Sequence, residues 1–260
     1  MGPRNPWRKA RFAMTSPRVR MFAGPNGSGK STLKSVLRPE LLGIYINPDE
    51  IEADIREWGF WDVEAYGVQT SESEILEFFR RSPLLERAEL LEEAALLRFN
   101  DGKLSFFEVS VNAYFASVAA DFLRGKLLQM ERSLSLETVM SSPDKVEFLR
   151  KAQRRDYRTY LYFVATEDPL INVSRVKNRV QRGGHDVPED KIISRYFRSL
   201  ELLSFALQYS DCAYLFDNSG RELLWLAEIT RGKTLELRTD RLPTWFQKYV
   251  WEPLERQGDL

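Results

Sequence analysis

One cysteine and one histidine in 260 residues exclude several kinds of protein at once. A single thiol, Cys212, cannot form an intramolecular disulfide, so no disulfide framework holds the fold. With His185 as the one imidazole there is no Cys/His set for zinc, and any metal is expected to be Mg²⁺ held by oxygen and by a nucleotide. Net charge is missing as well. The 38 Lys and Arg are matched by 38 Asp and Glu, which argues against a chain that holds nucleic acid mainly through its phosphates. No apolar run reaches the ~18 residues of a membrane span, and the N-terminus has no apolar h-region of a secretory signal. A cytoplasmic setting, with access to ATP, is the expectation, and no membrane partner. Present in quantity are hydrophobic residues, 43% of the chain, enough for one large core domain or a core with an insertion.

The most informative stretch is Gly24-Pro25-Asn26-Gly27-Ser28-Gly29-Lys30-Ser31-Thr32, directly after the apolar run 19–23. It fits G-x-x-x-x-G-K-[ST], a phosphate-binding loop. Glycines let backbone N–H groups turn inward around phosphates, Lys30 reaches the β- and γ-phosphates, and the Ser31 hydroxyl is offered to Mg²⁺. A helix over residues 32–37 adds its N-terminal dipole. ATP or GTP is therefore the expected cofactor, on Gly24, Asn26, Gly27, Ser28, Gly29, Lys30, Ser31 and Thr32.

Five cations, Arg4, Arg8, Lys9, Arg11 and Arg18, mark residues 1–18 as a basic mobile leader. It is either a solvated tail or a contact to an acidic partner. A short strand over residues 44–46 runs into Asn47-Pro48-Asp49-Glu50, where Asn47 suits an N-cap, Pro48 the first helical position and Glu50 a capping box. Asp49 then stands in a first turn at a strand's carboxyl end, the edge where ligands bind in open α/β sheets. An acid there also simply complements the helix dipole. Residues 60–132 read as a helical insertion: a helix from Ser82-Pro83 with apolar positions Leu84, Leu85, Ala88, Leu91 and Ala95, and an amphipathic helix over 111–128. This segment either packs on the core or walls an acceptor pocket. The strand 134–136 ends in Glu137-Thr138, whose carboxylate either holds Mg²⁺ or the acceptor or bonds its neighbours. Ser142-Pro143 starts a further helix, to about residue 154.

After the apolar strand 160–165, Asp168-Pro169 opens a helix that carries Arg175, Arg179 and Arg182, on one face if it persists that far. Gly183-Gly184 ends it, and a helix over 189–207 places Lys191, Arg195 and Arg198 on one side. Two basic faces across a glycine hinge suit a lid, about residues 175–200, that closes on a triphosphate; two solvated faces are the plainer reading. His185 reads as a hydrogen-bonding loop residue rather than a catalyst. Cys212 packs beside the last core strand, 213–216. Asn218 either contacts the adenine side of a nucleotide or belongs to an ordinary turn. Residues 223–229 and 234–237 form a C-terminal hairpin around Arg231-Gly232-Lys233.

In order, the loop Gly24 to Thr32, Asn47-Pro48-Asp49, Glu137-Thr138, the run SRVKNRVQRGGHDVP from Ser174 to Pro188 and the segment Arg195 to Leu200 resemble the zeta-toxin family of phosphate-binding-loop kinases. The likeness covers roughly residues 18–220, loosely over 60–132. It implies an α/β kinase fold of three layers, with a parallel five-stranded core, the helical insertion and the C-terminal hairpin, in one kinase domain over residues 19–260. Family members known as toxins phosphorylate the 3′-hydroxyl of the amino sugar of UDP-N-acetylglucosamine. By position Asp49 matches the family's catalytic base, and Lys30 and Ser31 its phosphate and Mg²⁺ contacts. Glu137, with Thr138, matches an acidic acceptor and metal site. Arg182 resembles one of two arginines on the transferring phosphate; Arg175 and Arg179 both qualify for the other. The family's antitoxin is a separate helical protein. Here Asn-Pro-Asp stands where those toxins carry a Gly-Asp-Ser type sequence.

The expected activity is transfer of the ATP γ-phosphate to a hydroxyl of a small metabolite, a nucleotide sugar first. The rivals are a kinase of nucleotides, dinucleotides or nucleic-acid ends, the last disfavoured by the lack of net charge and of an aromatic-basic stripe, and a nucleotide-binding regulatory module.

Overall fold

The computed structural model describes residues 16–34, 37–182 and 186–258. The leader up to residue 15, the Gly183-Gly184 hinge and His185 lie outside the described residues. In chain order the core elements are β1 (Arg18–Ala23), α1 (Lys30–Lys34), α2 (Pro39–Leu42), β2 (Ile44–Ile46) and α3 (Pro48–Trp58). The insertion follows with β3 (Phe60–Asp62), α4 (Glu72–Arg80), α5 (Pro83–Arg87), α6 (Leu91–Ala95), β4 (Arg98–Asn100), β5 (Lys103–Ser105) and α7 (Ala113–Gln129). The chain returns to the core with β6 (Leu134–Thr138), α8 (Pro143–Gln153), β7 (Arg158–Ala165), α9 (Pro169–Val180), α10 (Glu189–Glu201), α11 (Leu203–Gln208) and β8 (Cys212–Asp217). It closes with the hairpin β9 (Leu224–Thr230) and β10 (Thr234–Leu237), then α12 (Thr244–Phe246), a π-helical stretch and α13 (Glu252–Gln257).

The central sheet has seven strands in the order β10-β9-β8-β7-β1-β6-β2. The five from β8 to β2 pair in parallel, and the hairpin continues the same sheet antiparallel. Side chains alternate across it. Met21, Leu161, Phe163 and Leu215 point into the large core, whereas Phe22, Tyr162, Val164 and Phe216 form a small cluster on the opposite face with Leu33 of α1 and Leu42 of α2. The three layers are therefore unequal, thick on the side of α3, α7 and α8 and thin on the side of α1 and α2.

Several elements differ from the sequence-based expectation. The insertion holds an antiparallel sheet of three short strands, β3-β5-β4, that hydrophobic periodicity over three-residue strands could not reveal. Its one sequence signal is Asp101-Gly102, whose φ values of 47° and 74° are those of a two-residue hairpin turn. The helix from Pro83 splits into α5 and α6, because Glu89 takes a left-handed φ of 58°. The helix expected over 111–128 is α7, and it is not amphipathic. Phe115, Ala119, Leu123 and Leu127 are buried along with Ala116, Phe122 and Arg124, since the helix is covered by the insertion as well as by the sheet. The helix expected over 189–207 breaks at Leu202 into α10 and α11. No helix among the described residues is long and apolar enough to cross a membrane.

Candidate active site

Parallel strands β1, β6 and β2 all end at one edge of the sheet, and the loops leaving them define the site. The loop after β1 has little freedom. A Cβ on Gly24 would lie 2.0 Å from the Val164 carbonyl oxygen of β7, and one on Gly29 2.3 Å from Asn218 Nδ2. Their φ values of 144° and 101° favour glycine. Two amides fix the loop from either side: Asn172 Nδ2 of α9 donates to Asn26 O at 2.6 Å, and Asn218 Nδ2 donates to Ser28 O at 2.8 Å. Asn218 thus braces the loop, and the turn beside it is closed by Asp217, whose Oδ1 accepts from Ser219 N at 2.9 Å. Asn26 Oδ1 and Ser28 Oγ are buried without a hydrogen-bond partner, polar atoms of the kind that a bound ligand satisfies.

Lys30 opens α1 and is buried, its Nζ donating to Gly24 O and Pro25 O at 3.0 Å each. Burial pushes its pKa down and the Arg179 charge adds to this, whereas the carboxylates of Glu137 and Asp49 oppose it. Ser31 and Thr32 follow in the same first turn, exposed. At the end of β2, Asn47 caps α3 as its sequence suggests, with Oδ1 accepting from Asp49 N at 3.0 Å. Glu50 accepts from the Asn47 side-chain amide at 3.3 Å. This cap holds Asp49, exposed, at the rim.

Glu137 ends β6, next to the phosphate-loop strand. Its Oε2 accepts a hydrogen bond from Tyr45 Oη at 2.9 Å, and burial together with the Glu137 charge pushes the Tyr45 phenol pKa up. Lys34 Nζ sits 3.5 Å above the Tyr45 ring, so α1, β2 and β6 are joined through one tyrosine. Thr138 Oγ1 accepts from Met140 N at 3.0 Å, turning the chain toward α8.

These residues line one cleft of about 270 Å³, where Asn26, Gly27, Lys30, Asp49, Glu137, Thr138 and Arg179 meet. Arg195 of α10 lines it too, a residue that sequence reasoning placed on one of the two basic faces of the lid. Of the other arginines, Arg175 points its Nη2 at Gly220 O, 3.5 Å away. Arg182 is exposed beyond the end of α9 at Val180, so the three guanidinium groups do not share one helix face. Both basic helices are pinned at β7: Thr166 Oγ1 donates to Asn172 of α9, and Tyr196 Oη of α10 donates to Thr166 O at 2.6 Å. Arg124 of α7 and Lys145 of α8, also in the cleft, were missed. An arginine within the apolar run of α7 was the available signal, since buried charges are rare.

No group of three or more His, Cys, Asp or Glu able to hold a metal occurs among the described residues. The donor set instead suits Mg²⁺, which binds through one or two oxygen side chains together with nucleotide phosphates.

A parallel sheet whose central strand feeds a glycine-rich loop and a lysine-led helix defines the phosphate-binding-loop fold. No protein-family model and no curated protein matches the chain by sequence. Solved structures do. The chain is similar to a chain of the AvrRxo1-ORF1:AvrRxo1-ORF2 complex, with ATP at a TM-score of 0.53 and 13% identity and with sulphate ions at 0.52 and 13%. In both cases 90% of this chain and 64% of that chain are covered, so it spans less than two thirds of that relative. It is also similar to a chain from the PezAT chromosomal toxin–antitoxin system of Streptococcus pneumoniae, at a TM-score of 0.51 and 12% identity over 96% of this chain and 88% of that one. At such identities the likeness concerns the fold alone.

Proposed function

We propose that the protein is a Mg²⁺·ATP-dependent kinase that phosphorylates a hydroxyl of a small metabolite, with a nucleotide sugar such as UDP-N-acetylglucosamine the first acceptor to test. One observation carries the reading: Lys30, Asp49, Glu137 and Arg179, from four separate segments of the chain, line a single cleft at the carboxyl edge of the parallel strands. In this reading the loop amides and Lys30 hold the β- and γ-phosphates. Asp49 orients the acceptor hydroxyl and takes its proton as the oxygen bonds to the γ-phosphorus and the bond to the ADP oxygen breaks. Arg179 and Arg195 would stabilise charge on the transferring group, with Arg182 and Arg175, which do not line the cleft, as the further candidates. Ser31 and Glu137 would hold Mg²⁺, which supplies charge neutralisation on the phosphates. Thr138 and Glu137 would face the acceptor, and Asn218 would act on the nucleotide indirectly, through the loop that it braces.

The likeness to an ATP-bound complex supports the nucleotide side of this reading. The PezAT structure belongs to a toxin–antitoxin system, which supports looking for a separate antitoxin protein; a cytoplasmic setting with ATP at hand accompanies the proposal. The test is a mass-spectrometric assay with Mg²⁺·ATP and a panel of nucleotide sugars, nucleotides and dinucleotides, run beside Asp49→Ala. A product heavier by one phosphoryl group, absent with the variant, is the expected result. Turnover untouched by Asp49→Ala would remove the base role, and nucleotide binding without any acceptor-dependent turnover would favour a regulatory module.

A further inference from the structure

The turn that follows β8 meets the phosphate-binding loop on one side and the C-terminal segment on the other. Asn218 N donates to Ala165 O of β7 at 2.9 Å, which carries the sheet ladder just past the end of β8 at Asp217 and fixes where the Asn218 side chain starts out. From there its amide reaches Ser28 O. The other side of the turn is held by side chains that the catalytic reading leaves without a role.

Asp217 is 8% exposed, and its carboxylate accepts from three donors: Oδ1 takes Ser219 N, and Oδ2 takes both Ser219 Oγ and Trp245 Nε1, each at 2.9 Å. An indole nitrogen can only donate. The Ser219 hydroxyl is committed as well, since its oxygen accepts from Glu167 N at 2.7 Å and its proton is left for Asp217. Every group facing the carboxylate is thus a neutral donor, and an amide in its place would turn an NH₂ onto one of them. Trp245 is buried, its ring 6.0 Å from that of Phe163 in β7 and 5.9 Å from that of Phe246. It follows Thr244, whose N donates to the Glu167 carboxylate at 2.9 Å. Packing and hydrogen bonds therefore hold the indole in one orientation, and Glu167 ties back to the same turn through its own N–H.

Contacts run without a gap from the C-terminal segment to the loop: Trp245 to Asp217, Asp217 to the turn, and Asn218 to Ser28 O. Close packing passes a small displacement on instead of absorbing it, and the closeness of Asn218 to Gly29 leaves no slack at the last step. We infer that Trp245 and Asp217 are positioning residues for the nucleotide: they touch no phosphate themselves, and they set the turn from which Asn218 holds the phosphate-binding loop in its binding shape. The inference rests on the nucleotide half of the proposed function and not on phosphoryl transfer.

Calorimetric titration of the full chain with Mg²⁺ and a non-hydrolysable ATP analogue tests this. Trp245→Phe keeps a ring in place and removes the Nε1 donor. It is expected to weaken the analogue about fivefold, because the loop must then be ordered as the nucleotide binds. Asn218→Ala cuts the brace directly and should weaken it about tenfold on the same ground. The decisive variant carries both. If Trp245 acts through Asn218, the double variant binds within about twofold of Asn218→Ala alone, whereas independent effects would multiply to about fiftyfold. Val250→Ala, at a buried position in the same C-terminal segment, supplies the comparison for lost stability: it should lower the melting temperature and leave the affinity within about twofold. Ser219→Ala, at a half-buried position, reaches the same carboxylate from the turn itself and replaces Trp245→Phe should that variant not fold; several-fold weaker binding is expected of it too. Unchanged affinity in these variants, a multiplied loss in the double variant, or an equal loss in Val250→Ala would overturn the inference. A wild-type chain that binds no analogue removes the nucleotide reading and this inference with it. A chain that shows the coupling and transfers no phosphoryl group keeps the inference and removes only the kinase assignment.

Discussion

Replacing Asn172 by leucine tests how the basic helix and the phosphate-binding loop are tied together. Asn172 has 0% exposure and makes two hydrogen bonds, one to Asn26 O at 2.6 Å and one from Thr166 Oγ1. Leucine has the same number of side-chain heavy atoms, so the change leaves little cavity and acts mainly on polar satisfaction. Stranding a buried partner costs about 1–3 kcal/mol. The Thr166 hydroxyl keeps a second acceptor, Asp168 O at 3.3 Å, and belongs at the low end of that range. The Asn26 carbonyl loses its one recorded side-chain donor and belongs nearer the middle. Together the expected destabilisation is about 2–4 kcal/mol, which lowers the melting temperature by roughly 5–15 °C for a chain of this size. Urea denaturation gives the free energy directly. Adding Thr166→Val should restore about 1 kcal/mol, since an apolar pair of similar shape strands no hydroxyl. ATP affinity should also fall, by about tenfold, because the loop must then be ordered at the moment of binding. A destabilisation below about 1 kcal/mol with unchanged ATP affinity would refute the idea that Asn172 holds the loop.

Other consequences are as direct. Tyr45→Phe removes the hydrogen bond to Glu137; at the low end of ~1.5–3 kcal/mol for a bond to a charged group, kcat/KM for the acceptor should fall about tenfold while the ATP KM stays constant. Equal losses for both substrates would contradict that separation. For Lys30→Met the expectation is loss of ATP binding with stability held within about 1 kcal/mol, because relief of the buried ammonium offsets its two hydrogen bonds; global unfolding would show Lys30 to be structural. Between about pH 8, where folded Lys145 loses its proton, and its ordinary value of 10.5, the unfolded chain binds the extra proton. Stability therefore rises with pH across that interval, by no more than about 3 kcal/mol. Comparison with Lys145→Met, followed by urea denaturation at pH 7.5 and 9.5, isolates this from Cys212, whose raised thiol pKa has the opposite sign. Identical pH profiles for the two proteins would exclude the effect.

Much of the frame was legible before any coordinates. The run from Gly24 to Thr32, the strand before it, the cap at Asn47 and the long apolar strand β7 each rest on local chemistry: glycine at positive φ, an Asx cap, a strand buried on both faces. What was not legible depends on contacts distant in sequence. Asn172 carries no signal of its own, and Asn218 reads as an adenine-side contact or a turn residue, until the fold brings them to Asn26 and Ser28. The small sheet β3-β5-β4 escaped because three-residue strands carry no usable period, although Asp101-Gly102 stood as a hairpin signal. Arg182 stands beyond the end of α9 at Val180 and does not line the cleft, and helix ends are what periodicity fixes least well. The inward turn of Arg195 depends on how α10 packs, which its four-and-three spacing alone does not state.

The strand order also bears on how such a protein could change its partner in chemistry. The phosphate-binding loop hangs from β1, flanked by β7 and β6, whereas Asp49 follows β2 at the outer edge, with Glu137 on β6 between them. Neighbouring strands are about 4.8 Å apart, so in the proposed reading donor and acceptor chemistry would be offset by roughly two strand spacings, one anchored at the middle of the sheet and the other at its margin. An edge strand has one neighbour to satisfy rather than two. Insertions and substitutions around β2, α3 and the segment that follows can therefore be explored with little disturbance to the centre. If the proposed roles hold, such an arrangement would separate inheritance of the nucleotide from inheritance of the acceptor: lineages could exchange one substrate for another at the sheet's margin while the same loop went on gripping the same triphosphate.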